Sequence, residues 1–159
     1  QAFGRLFEFA VFQPNGTLPM PMELWADDFA TGCPIPLFDE FTSIFREKNL
    51  SFTIFLQSES QLEALYGQQK ATTILNNCDS YVYLGCNDLH TAEKVSLRGN
   101  RLLEDVLYLP VGDEILFRRG QKPIFTKRYN IQKDKQYQRV TREYGKNVAA
   151  QMRDAVAVL

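Results

Sequence analysis

The stretch Ser51–Gln57 (SFTIFLQ) constrains this chain more than any other. It is apolar on both of its alternating faces, so a strand built from it needs cover on both sides. Parallel sheets provide that cover, because crossover helices lie on their two faces. The neighbouring residues supply such helices. Pro36–Asn49 repeats apolar residues at 3–4 spacing, through Leu37, Phe41, Ile44 and Phe45. After the strand, Ser58-x-x-Gln61 fits a capping box and Gly67 can close the helix it opens. Thr72–Asn77 reads as a further short helix. Glu23–Ala26 and Tyr81–Leu84 (YVYL) read as strands on either side. Asp88 can cap a helix running to Arg98 and ended by Gly99. Strand and helix therefore alternate, which predicts an α/β fold with a mostly parallel sheet and flanking helices.

The ends of the chain read differently. Gln1–Phe12 places Phe3, Leu6, Phe7, Ala10 and Val11 on one face of an amphipathic helix. Gln13–Pro21 holds three prolines and an Asn-Gly pair, hence a loop. Ile115–Arg118 and Ile124–Arg128 form a hairpin pattern around Gly120. Gln132–Leu159 is polar and helix-prone, with Tyr137, Val140, Tyr144, Val148, Met152, Ala155 and Leu159 as an apolar stripe. This stripe fits a terminal helix docked on the core, or an interaction helix.

At 159 residues the chain suits one ordinary domain, and 45% hydrophobic residues argue against disorder. No apolar run approaches the ~20 residues needed to span a bilayer. A net charge of −1 argues against a dominant basic footprint for nucleic acid. A local basic group remains around the hairpin, from Arg118, Arg119, Lys122, Lys127 and Arg128 beside Tyr129. Cys33, Cys78 and Cys86 are an odd count without C-x-x-C spacing, a poor framework for disulfides or zinc. His90 reads as a surface residue at a helix start. No G-x-x-x-x-G-K-[ST], G-x-S-x-G or H-E-x-x-H occurs.

Three places can carry chemistry. Asp27 and Asp28 end a strand, where open α/β sheets bind ligands. In nucleotide motors one such acid helps hold Mg²⁺ and the next polarises the attacking water. The plainer reading is a surface acid pair. Gln57 ends the following strand, beside Asp28 on the same sheet edge, and its amide can contact water or a γ-phosphate. The plainer reading there is a strand terminus bonded to its own loop. Arg46 lies late on the helix before that strand. It can serve a neighbouring subunit's phosphoryl-transfer site, or simply complement the helix dipole.

Taken together, the segments resemble the C-terminal half of type IV secretion coupling proteins, the TraG/TraD family. LPMPMELWADDFATGCPIP (Leu18–Pro36) resembles that family's Walker B segment. FREKNLSFTIFLQSESQLEALYG (Phe45–Gly67) resembles its arginine, buried strand and Leu-Gln-Ser motif. ILNNCDSYVYLGCNDLHTAEKVS (Ile74–Ser96) and Arg101–Tyr129 resemble the strand, helix and closing hairpin that follow. The resemblance covers roughly residues 1–137, leaving 138–159 as a helical tail. It implies part of a RecA-like P-loop NTPase fold that ends in a hairpin and a C-terminal helix. It implies a fragment of an ATP-driven, hexameric DNA-translocating motor, the cytoplasmic domain of an inner- or cell-membrane protein. Such a motor links a relaxase–DNA complex to a type IV secretion channel. Asp27 would then be the Mg²⁺-associated acid, Asp28 the catalytic acid, Gln57 the nucleotide sensor and Arg46 the arginine acting across subunits.

Two positions depart from the family. Asp28 stands where Glu is usual and Thr31 where Asn is usual. The resemblance also implies that Gln1 follows the phosphate-binding loop, the membrane helices and the helical insertion domain. The chain alone is then expected to hold neither ATP nor Mg²⁺ tightly and not to hydrolyse ATP. Its sheet would have an open edge, so dimerisation or swapping is expected. The alternative is a non-catalytic docking module for relaxosome or secretion-channel proteins.

Overall fold

A computed structural model describes residues 2–156, with side chains over residues 4–145. Of the predicted apolar positions, Phe3, Val148, Met152, Ala155 and Leu159 lie outside the described side chains. The elements run α1 (Ala2–Val11), β1 (Met22–Ala26), α2 (Phe38–Ile44), β2 (Leu50–Ile54), α3 (Glu59–Tyr66), α4 (Gln68–Asn76), β3 (Ser80–Tyr83), α5 (Leu89–Gly99), α6 (Leu103–Leu107), β4 (Asp113–Arg118), β5 (Ile124–Lys127) and α7 (Lys135–Val156). Contacts divide the chain into two units, one ending at Thr126 and one starting at Lys127.

In the first unit, β1 and β2 pair in parallel from Met22 opposite Leu50 to Ala26 opposite Ile54. The α/β class holds, with a parallel sheet and flanking helices. One expectation changes in detail. The third strand does not extend this sheet. β3 pairs antiparallel with β4, and β5 adds to β4 as the hairpin pattern implied. Composition marks Tyr81–Leu84 as a strand, but pairing direction is decided by distant partners. Here Tyr81 faces Phe117 across the ladder, their rings 5.8 Å apart.

Each sheet has its own core. Around the parallel pair lie buried Phe29, Phe38, Phe45, Leu50, Leu62 and Ile74. Phe38 is its hub, 4.8 Å from the Phe29 ring and edge-on to Phe52 at 5.7 Å. Full burial of one such side chain is worth about 2–3 kcal/mol, so this cluster dominates the local stability. Around β3–β4 lie Tyr83, Ala92, Val95, Val106, Ile115 and Phe117.

The helix expected over Pro36–Asn49 is shorter, Phe38–Ile44 followed by a 3₁₀ turn at Arg46–Lys48, and the one expected over Thr72–Asn77 begins earlier, at Gln68. The caps around α3 and α5 follow the sequence signals, with one exchange. Ser58 Oγ accepts from Gln61 N, and Gly67 turns at φ 80° after α3. Asp88 caps α5 through Thr91 N. That helix closes on Asn100 in the left-handed region, however, and not on Gly99. Gly99 stays in the last turn, where a Cβ would stand 3.7 Å from Phe117 and 3.8 Å from Phe125. Those are ordinary contact distances, so the site has room for a methyl group.

In the second unit, Asp134 caps α7 by accepting from Gln136 N at 2.8 Å and Tyr137 N at 2.9 Å. Tyr129 donates to the same carboxylate at 2.8 Å.

Candidate functional site

Parallel pairing puts the C-terminal ends of β1 and β2 side by side, and the two candidate segments leave from those ends. Phe55 N donates to Ala26 O at 2.9 Å, and Phe29 N donates to Phe55 O at 3.1 Å. The loop after β1 is thereby stitched to the loop after β2. Phe29 anchors it from below, buried and stacked on Tyr66 with ring planes 6° apart. Tyr66 in turn accepts from Ile35 N at 2.9 Å, which fixes the far side of the loop.

With Phe29 pinned, Asp28 is held just above the sheet edge in the left-handed region at φ 46°. Asp27 Oδ1 accepts from Asp28 N at 3.0 Å. Thr31 donates twice to Asp28 O, from N at 2.9 Å and from Oγ1 at 2.8 Å. Thr31 therefore closes the turn that presents Asp28. Gln57 Nε2 donates to Asp28 Oδ1 at 3.4 Å, and Gln57 Oε1 accepts from Gln61 Nε2 at 3.2 Å. The structure thus brings Asp27, Asp28 and Gln57 to one exposed edge.

Arg46 lies elsewhere. It sits in a 3₁₀ turn, Arg46–Lys48, before β2, whereas Gln57 follows that strand. The strand's five residues span about 16 Å, so Arg46 and Gln57 occupy opposite ends of the sheet. Arg46 is 74% exposed and pairs with Asp79, which also meets Arg119 Nε at 3.1 Å. Within one chain it does not reach Asp28.

A second polar cluster was not visible in sequence. Asp88 Oδ2 accepts from Ser60 Oγ at 2.7 Å, from Thr91 N at 2.9 Å and from the Thr91 hydroxyl. Thr91 Oγ1 accepts from Glu59 N at 2.9 Å. Lys94 bridges buried Glu59, at 3.2 Å, and Glu63, which His90 Nε2 also approaches at 3.3 Å. The Thr91 and Ser60 bonds hold the Asp88 carboxyl below its ordinary range against the opposing effect of burial. Burial, with Glu59 nearby, pushes the Tyr81 hydroxyl far up. These residues lie on α3, α5 and β3, and only tertiary packing joins them. Their nearest sequence signals are the caps Ser58 and Asp88.

The donor set at the sheet edge is hard oxygen, which suits Mg²⁺ held through one or two carboxylates together with phosphate oxygens and water. Among the described residues no group of three His, Cys, Asp or Glu side chains is placed to hold a metal. Asp27 and Asp28 can supply at most part of such a shell, and no G-x-x-x-x-G-K-[ST] phosphate loop occurs in this sequence.

Residues 21–98 match a family model described as the TraM recognition site of TraD and TraG. The fold resembles the bacterial conjugative coupling protein TrwB in its unbound monoclinic form, with TM-score 0.66 and 19% identity over 80% of this chain. It also resembles plasmid coupling protein TrwB in complex with ADP and Mg²⁺, with TM-score 0.66 and 20% identity over 79% of this chain. A third likeness is to TrwB in complex with the ATP analogue ADPNP, at the same score and identity. At these identities the likeness is one of fold. The chain spans 35% of the length of the first of these structures. No curated protein sequence matches the chain.

Proposed function

Because residues 21–98 make this chain a C-terminal region of the TraG/TraD coupling-protein family, we propose that its sheet edge is the acid half of a nucleotide-hydrolysing site in a longer conjugation motor. The observation that carries this reading is the Gln57–Asp28 hydrogen bond across the C-terminal ends of two parallel strands. Asp27 would hold Mg²⁺ of a bound ATP, and that ion would neutralise charge on the phosphates. Asp28 orients the attacking water and takes its proton at a carboxylate oxygen. Gln57 holds Asp28 in place and, through Gln61, ties the edge to the start of α3. Arg46 serves the site of a neighbouring subunit, since its own sheet edge is out of reach.

On this reading the longer protein is a self-associating, hexameric ATPase at the cytoplasmic face of a membrane. It moves DNA and delivers a relaxase complex to secretion-channel proteins. Removing a general base typically costs 10²–10⁴-fold. In the longer protein, Asp28→Asn is expected to cut ATP turnover by at least about 10²-fold while the fold survives. Turnover at the parental rate in that variant removes the assignment. Arg46→Ala is expected to be as inactive alone, and to recover part of its turnover when mixed with Asp28→Asn subunits.

The description of the matched family supports a second reading. The same region would dock a relaxosome protein without using nucleotide. A pull-down by the isolated chain against relaxosome components tests it, and absence of retention counts against it.

A further inference from the structure

Charge is divided unevenly along the chain. Residues 1–126 contain 10 Lys and Arg against 16 Asp and Glu, whereas residues 127–159 contain eight against three. The near-zero net charge thus conceals an acidic first unit and a basic second one. The proposed nucleotide site uses nothing from the basic unit.

Within that unit, α7 sorts its residues by face. At about 100° per residue, Tyr137, Val140 and Tyr144 fall within an arc of about 60°. They are 42%, 63% and 70% exposed. Lys135, Arg139 and Arg142 fall within a second arc of about 60°, on the opposite side of the helix. In the sequence the same spacing continues both series, at Val148, Met152 and Ala155 and at Lys146 and Arg153. Only Glu143 and Asp154 interrupt the basic character of the helix, and Glu143 pairs with Arg139 at 3.0 Å. The cap at Asp134 starts the helix from within its own unit.

A basic amphipathic helix of this kind lies flat on a membrane, its apolar face in the headgroup boundary. Tyrosine is well placed there, since its ring is apolar and its hydroxyl stays wet. The charges rule out spanning: among the described residues no helix is long and apolar enough to cross a membrane. A nucleic-acid backbone would engage the cations and leave Tyr137, Val140 and Tyr144 in water. An apolar protein groove would engage the stripe and leave the cations unused. An anionic lipid surface seats the stripe in its headgroup layer while its field, reaching about 10 Å at 0.1 M salt, still attracts the cations across the helix, and it repels the acidic first unit.

We propose that α7 binds anionic lipid surfaces, with the Tyr137–Val140–Tyr144 stripe seated in the headgroup layer. The test is co-sedimentation of the whole chain with vesicles of phosphatidylcholine alone or mixed with phosphatidylglycerol. Partition into the mixed vesicles only is expected, weakening as salt rises. Arg139→Gln and Arg142→Gln are each expected to lower it roughly five-fold. Val140→Asp, which places a charge on the stripe, is expected to reduce it further. Circular dichroism checks the helix. If Val140→Asp melts α7, the glutamine variants still decide, because glutamine keeps helix propensity. Three results overturn the proposal: no partition into anionic vesicles, equal partition into zwitterionic ones, or partition that survives both arginine replacements. An oligonucleotide bound by a chain that ignores vesicles reassigns the basic face to nucleic acid and also overturns it.

Discussion

The loop after β1 and the loop after β3 both present an aspartate beyond a strand, and the two carboxylates are treated differently. Asp88 accepts from Ser60 Oγ and from both the amide and hydroxyl of Thr91, so one oxygen joins α3 to α5. Among the described residues Asp28 accepts one side-chain bond, at 3.4 Å, and its backbone lies in the left-handed region. An acid that takes three bonds from its own fold on one oxygen is a structural fastener. An acid displayed on a pinned turn with its lone pairs open is available to a ligand. The strand-end position is shared, so position alone does not distinguish them.

Replacements around Asp88 should therefore act on stability, and those around Asp28 on turnover. The largest stability effect is expected from Lys94→Met, which leaves Glu59 buried and short of a counter-charge. A loss of about 3 kcal/mol is expected, at the low end for a broken buried pair because Lys94 is partly exposed. Chemical denaturation measures it, and an unchanged midpoint would contradict the role given to Lys94. Asp88→Ala removes a cap and leaves two hydroxyls without their acceptor. The expected loss is about 2 kcal/mol, a fall in melting temperature of several degrees by calorimetry.

Asp88 also sets a pH dependence. Its bonds place its folded-state value below its unfolded one. Their stabilisation is thus fully present above about pH 4 and is lost as pH falls through the lowered value. In melting-temperature curves, Asp88→Asn should flatten the acid limb, and an identical limb would show that other carboxylates control it. Ser60→Ala removes one bond to Asp88 and should cost about 1 kcal/mol. Asp28→Asn should change stability least, by under about 0.5 kcal/mol, because Asn accepts the left-handed region as readily as Asp.

Sequence patterns showed those features whose causes are local. Ser58 and Asp88 were readable as caps because capping depends on neighbours within one turn. The meeting of Asp28 with Gln57 was readable because strand ends in a parallel pair lie together. What sequence did not show depends on distant partners. The antiparallel pairing of β3 with β4 is one case, since alternation carries no direction. The Arg46–Asp79–Arg119 cluster is another, drawn from a turn, a loop and a strand end. The end of α5 is a third case: Gly99 remains helical and Asn100 takes the left-handed turn, which an asparagine side chain tolerates, so the glycine signal sits one residue too early.

The most direct measurement compares Asp28→Asn with Asp88→Ala in the longer protein, recording melting temperature and ATP turnover on the same preparations. A crossed result is expected. Asp28→Asn melts with the parent and loses turnover, while Asp88→Ala melts several degrees lower and keeps turnover below its transition. Retained turnover in Asp28→Asn, or loss of turnover only in proportion to lost fold in both, would contradict it.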